Sequence, residues 1–289
     1  MIKREDVLSF LEEDFNLPSP LNVVTKLSNI IEQQDASASD VAGVIQYDPS
    51  LTGKLLKLSN SAAFRGSTAI TCIEDAVLRI GFRRIKTLVL SLSLIDTFPK
   101  CNILDQYKFW KHSLSTAFTA EMIAQSIVKL PPPYDDFYVT GLLHDLGVLV
   151  LDQFTPETYL TLRGELIHSK SHLSDLERQH YGIDHAELGA CMLRKWNLPD
   201  TLITATKLHH ESGEAIRNHS LQAKILHLAN FACNKQSLFN SIENEQEALY
   251  TESGWRASGL PISDIPSIVE YVTQKIEQVS AILEVVKAS

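Results

Sequence analysis

The chain has 289 residues, 35 acidic against 26 basic side chains, and a formal net charge of −9. Its 44% hydrophobic and 21% charged residues are those of an average globular protein, which excludes a collagen, general disorder and a cysteine-stapled secreted scaffold. The acidic balance argues against wholesale nucleic-acid binding, and the length is enough to bury a core, as one large or two small domains, without disulfides.

At the N-terminus, acids interrupt any apolar run (Glu5, Asp6, then Glu12, Glu13 and Asp14), so no signal peptide is expected. No apolar stretch approaches the ~20 residues that span a bilayer. Cys72, Cys101, Cys191 and Cys233 form no C-x-x-C pair. They read as reduced thiols, and the expected location is the cytoplasm. Leu17-Pro18-Ser19-Pro20 separates a short first helix from the next. Asp48-Pro49-Ser50 is a helix start, with Asp48 as cap and Pro49 in the first turn.

Seven basic residues follow between Lys54 and Lys86: Lys54, Lys57, Arg65, Arg79, Arg83, Arg84 and Lys86, opposed only by Glu74 and Asp75. This cluster is either a solvated helix face with local ion pairs or a docking surface for an acidic partner, phosphate or nucleic acid. Its aromatics are too few for single-strand stacking, so nucleic acid is the least favoured partner.

Over 112–130, Ser115, Phe118, Thr119, Met122, Ile123, Ser126, Ile127 and Leu130 recur at helical spacing, predicting an amphipathic helix. Pro131-Pro132-Pro133 must be a loop. Residues 201–210 and 221–233 read as helices, and Trp196-Asn197-Leu198-Pro199-Asp200 as a break. Residues 252–263, with Gly254, Gly259 and Pro261, read as a linker, followed by a final amphipathic helix through Ile265, Val272, Val279 and Val286. No hairpin signal interrupts this pattern, so the fold class is all-α.

All ten histidines lie between His112 and His227. Histidine is the commonest metal ligand, so the clustering marks a site. His168, His172, His180 and His219 sit in polar surroundings and read as surface residues. Two dyads are sharper. His144-Asp145 is embedded in an apolar run, where burial is costly unless the pair is bonded or holds a metal. On a helix, adjacent side chains diverge by about 100°. His209-His210 closes a helical stretch. With His112 and His185 these residues make a five-histidine, one-carboxylate set; its bland alternative is a hydrogen-bonded cluster that staples helices together.

The order His112, His144-Asp145, His185, His209-His210 resembles that of the HD superfamily of phosphohydrolases, especially its HD-GYP branch. From about 17 to 215 the chain resembles more specifically the HDOD family, the HD-related output domains. The motifs that carry this are Leu17-Pro18-Ser19-Pro20, Asp48-Pro49-Ser50-Leu51, Leu55-Leu56-Lys57-Leu58-Ser59-Asn60-Ser61-Ala62, Ile73-Glu74-Asp75-Ala76-Val77, Trp110-Lys111-His112-Ser113, Gly141-Leu142-Leu143-His144-Asp145-Leu146-Gly147, His185-Ala186-Glu187-Leu188-Gly189 and Trp196-Asn197-Leu198-Pro199.

The resemblance implies a helical lobe over 1–100, an HD-like lobe over 101–250 and a linker with a C-terminal helix over 251–289. It implies metal ligation by His112, His144, Asp145, His185, His209 and His210. Imidazole-rich ligation suits Fe, Zn, Mn or Ni. Three family features of active hydrolases are missing: Asn230 stands where a late aspartate is expected, no Gly-Tyr-Pro follows His210, and apolar residues rather than a lysine follow the dyad. The expected role is therefore a signal-transduction output module, non-catalytic or weakly active, working in trans on a protein partner. The alternative is a metal-dependent phosphodiesterase acting on a nucleotide, with Asp145 and His112 as catalytic groups.

Overall fold

The computed structural model describes residues 2–14, 21–64, 66–98, 100–168, 171–211, 216, 218–235 and 265–287. Among them every regular element is helical. The predicted Leu17–Pro20 break and the 252–263 linker lie outside the described residues.

The chain divides into two compact units, one of residues 1–16 with 100–274, the other of 17–99 with 275–289. The first helix, α1 (Arg4–Ser9), groups with the His-rich unit rather than with 17–99. The reason is side-chain chemistry. Val7 and Leu11 are buried, Arg4 meets Glu187 at 2.7 Å, and Lys195 donates to the carbonyls of Leu11 and Glu12.

In the smaller unit, α2 (Leu21–Ile31), α3 (Ala38–Ile45), α4 (Pro49–Ser59), α5 (Ile73–Ile80) and α6 (Phe82–Thr97) pack together, α2 and α4 both against α6 and α3 against α5. Asp48 caps α4 by accepting from the Leu51 amide at 3.0 Å, with Pro49 in the first turn, as its sequence predicts. Three residues of the basic cluster are taken up in local bonds. Lys54 is buried on Asp96 at 2.6 Å, Arg79 donates to Thr68, and Arg84 donates to Gln278.

The larger unit is built around α7 (Gln106–Met122). Asp105 caps it through the Lys108 amide. The predicted amphipathic stripe is corrected here: α7 is buried on nearly every side from Phe109 to Ala120, because α8 (Asp135–Leu143) and a later helix, α14 (Leu221–Lys235), both pack on it. Burying one large apolar side chain is worth roughly 1.5–3 kcal/mol, and α7 buries Phe109, Trp110, Leu114 and Phe118. Its path then widens into a π-type turn over Ile123–Ile127.

After α8 come α9 (Leu146–Phe154), α10 (Pro156–His168), α11 (Leu173–Tyr181), α12 (His185–Lys195) and α13 (Asp200–Lys207). α12 packs on α9 and α13, and α13 on α14. The last helix, α15, runs Ile265–Lys287, and the dividing line between the units falls within it. No helix of the described residues is long and apolar enough to cross a membrane.

Candidate metal centre

The dyad His144-Asp145 does not lie on a continuous helix. It occupies the break between α8 and α9. The 100° divergence expected of helical neighbours is therefore corrected: His144 Nε2 and Asp145 Oδ2 lie 3.0 Å apart and face one point. The two glycines around the dyad explain how the break is packed. A Cβ on Gly141 would stand 2.6 Å from the Cα of Ala117 on α7, and one on Gly147 would stand 2.0 Å from the carbonyl oxygen of His185 on α12. Only glycine lets these backbones approach so closely, and the approach brings His112 and His185 to the dyad.

Asp145 is the hub. Its Oδ2 lies 3.4 Å from His112 Nε2 and 3.0 Å from His144 Nε2. Its Oδ1 lies 3.2 Å from His209 Nε2 and 3.7 Å from His185 Nε2. His210 joins on this second side, its Nε2 2.7 Å from that of His185. Two donor sets result, His112/His144/Asp145 and Asp145/His185/His209/His210, and within each the donor atoms lie within 4.8 Å of one another. All six residues named from the sequence converge. His112, His144, Asp145, His185 and His209 are each at most 4% exposed, while His210 is half-buried.

The outward faces of the rings fix the tautomers. His144 Nδ1 donates to the Gly141 carbonyl at 2.8 Å, and His209 Nδ1 to the Thr206 carbonyl at 2.6 Å. His185 Nδ1 meets Glu177 Oε2 at 2.5 Å. All three bonds turn Nε2 inward, and in His144 and His209, whose Nδ1 carries the proton, they leave an Nε2 lone pair there. Lone pairs then face carboxylate oxygens, acceptor against acceptor. Asp145 Oδ1 and His209 Nε2 are buried without a hydrogen-bond partner among the described residues. Orphaned acceptors of this kind are expensive, and a cation at their centre removes the expense. The donor set, rich in imidazole with one shared carboxylate, fits a first-row transition ion or Zn²⁺.

Electrostatics follow the same division. Burial lowers His144 to about 4, against the attraction of Asp145. Burial pushes Asp145 up, but His144 and His112 hold it well below the usual carboxylate range. Burial together with His209 and His185 holds His210 well below an ordinary imidazole. For His185, burial acts downward but Glu177 overrides it and lifts the ring to about 10.

Two supporting residues were not among those the sequence pointed to. Glu177 reads as one more surface acid between Asp175 and Arg178, yet it is completely buried. A signal existed: it stands four residues from both Leu173 and Tyr181, on the apolar face of α11. His227 donates from Nδ1 to the His209 carbonyl at 3.0 Å. The four histidines expected at the surface are exposed or half-buried.

The HDOD domain family model matches residues 17–212, which include every ligand candidate. The chain belongs to the HDOD family. An uncharacterized protein of Treponema pallidum is 29% identical over 199 residues, covering 67% of this chain and 37% of that protein. This HDOD chain therefore spans little more than a third of that relative's length. Among solved structures, a protein of Marinobacter aquaeolei named as a candidate signal transduction protein has a TM-score of 0.78 at 19% identity, over 98% of this chain and 64% of that one. A candidate phosphohydrolase of Shewanella amazonensis has a TM-score of 0.74 at 20% identity, over 97% and 98%. An HDOD protein of unknown function from Geobacter sulfurreducens has a TM-score of 0.71 at 22% identity, over 98% and 97%. Likeness at these identities concerns the fold.

Proposed function

We propose that this HDOD chain is a regulatory output module whose His/Asp centre holds a transition-metal ion as a fixed part of its structure, and that it acts in trans on a protein partner rather than by turnover. His112, His144, Asp145, His185, His209 and His210 would hold the metal, with Fe, Zn, Mn or Ni the fitting ions. The observation that carries the non-catalytic reading is burial: the hub carboxylate is 3% exposed and His144, His185 and His209 at most 2%. A phosphate ester needs an open face on the metal, and such closure suits a structural site better. The neighbour named for signal transduction supports a regulatory role.

A second reading, hydrolysis of a nucleotide phosphodiester, is favoured by one feature. Each Asp145 oxygen faces its own donor set, as in a carboxylate bridging two cations. Two ions so placed would polarise a phosphoryl oxygen and lower the pKa of a bound water. His112 would either complete the first donor set or, left off the ion, move a proton at its Nε2. The missing late carboxylate at Asn230 and the missing lysine weigh against it.

The test is elemental analysis of the purified chain beside the H144A/D145A double variant, followed by a phosphodiesterase panel. One or two metal equivalents, lost in the variant, with no turnover, support the regulatory reading. Turnover that disappears in the variant replaces it with the second. A folded wild-type chain that takes up none of the four ions removes the metal from both.

A further inference from the structure

The two halves of the centre differ in what stands behind their histidines. Behind His144 and His209 are backbone carbonyls, those of Gly141 and Thr206. Behind His185 is a carboxylate. Glu177 Oε2 lies 2.5 Å from the ring Nδ1 and also accepts from the His185 backbone amide at 2.8 Å. His185 is the first residue of α12, so the carboxylate also sits at the positive end of that helix.

The corner between α11 and α12 is built to hold this acid in place. Arg178, the next residue, pairs with Asp184. Asp184 caps α12 through the Glu187 amide at 2.7 Å. Gly182, at φ 69°, makes the left-handed turn between the helices. A completely buried carboxylate is costly; Glu177 spends both bonds of its Oε2 on one ligand candidate, and its Oε1 is buried without a hydrogen-bond partner among the described residues.

We propose that Glu177 is a positioning residue that makes the centre asymmetric. It fixes the His185 ring with Nε2 inward and adds a second negative charge behind the Asp145/His185/His209/His210 half. That half therefore takes a divalent cation more tightly than the His112/His144/Asp145 half. The proposal rests on the metal reading above. Removing a carboxylate that backs a metal-bound imidazole typically costs 10–100-fold in affinity.

The full chain, stripped with a chelator, is titrated calorimetrically with Zn²⁺ and separately with Mn²⁺, and bound metal is counted. The expected result is two classes of site. Glu177→Gln keeps an amide oxygen able to accept both N–H groups and removes only the charge. It should weaken the tight class about 10–100-fold and leave the weak class unchanged. Because the glutamine variant could fold poorly, His185→Ala and His144→Ala give an independent comparison: the first should lose the tight class, the second the weak one. Equal titration by wild type and Glu177→Gln, equal weakening of both classes, or loss of the tight class in His144→Ala would overturn the proposal. A wild-type chain that binds neither ion fails differently, because it refutes the metal reading itself.

Discussion

Gly147→Ala should separate the centre's two histidine-bearing backbones without replacing any ligand side chain. The added methyl would lie 2.0 Å from the His185 carbonyl oxygen and 2.8 Å from the Gly189 amide nitrogen. Carbon and oxygen in contact need well over 3 Å, and both atoms met are backbone, so no side chain can swing aside. α9 and α12 must part by about 1 Å or more. Overpacking of this kind costs about 1–3 kcal/mol, and a backbone-on-backbone clash belongs at the upper end. For a unit of this size that is a fall in Tm of roughly 6–12 °C. Function should suffer more than stability. His185 opens α12, and metal sites tolerate ligand errors of only about 0.2 Å, so the shift should empty the His185 half of the centre. Thermal unfolding by circular dichroism with elemental analysis reads both effects. A Gly147→Ala protein with wild-type Tm and metal content would refute the argument that this glycine exists to let α12 approach the dyad.

Gly164 is the contrasting control. It lies inside α10, and a methyl added there would meet nothing within 4 Å, so Gly164→Ala should stabilise by about 0.5–1 kcal/mol in chemical denaturation. Asp152 is completely buried and accepts from the backbone amides of Asn102, Ile103 and Leu104, which lead into α7. Asp152→Ala orphans those donors and should cost about 3 kcal/mol or more, read as a lower denaturation midpoint. Adding Zn²⁺ to chelated protein at a hundredfold excess over its Kd should stabilise it by about 2.7 kcal/mol, seen as a Tm increase absent in the H144A/D145A variant.

Much of this was legible in the sequence, for identifiable reasons. Asp48-Pro49 announces a helix start through local chemistry alone, and the structure agrees. The confinement of all ten histidines to 112–227 and the apolar run around His144-Asp145 marked a site, and the resemblance to the HD order supplied the other ligand candidates. What stayed hidden depends on long-range packing. The helix break at His144-Asp145 has no proline to signal it; it follows from the approach of α7 and α12 at Gly141 and Gly147. The all-round burial of α7 cannot be read from its Ser and Thr residues, which look polar although two of them, Ser113 and Thr119, bond to their own helix at the Phe109 and Ser115 carbonyls. Glu177 was hidden by composition, an acid among charged neighbours whose partner lies eight residues on.

Asn230 bears most directly on whether the centre works by chemistry or by architecture. It lies on α14 three residues after His227, hence on the same helix face. His227 touches the carbonyl of His209, so this face looks toward the centre. Asn230 itself is 4% exposed and accepts from Asn234 at 3.3 Å. Asn230→Asp would add a buried charge on the side where HD hydrolases are expected to carry their late aspartate. In chelator that charge has no cation to meet, and the variant should lose about 2 kcal/mol or more, since desolvating an unpaired carboxylate costs several. With Zn²⁺ or Mn²⁺ present the same charge becomes a ligand, so added metal should raise the Tm of Asn230→Asp by more than it raises that of the wild type. If metal restores nothing, Asn230 does not occupy the late-ligand position, and the argument from its missing charge against hydrolysis falls with it. If metal restores stability and a phosphodiesterase activity emerges as well, the amide is what keeps this centre architectural.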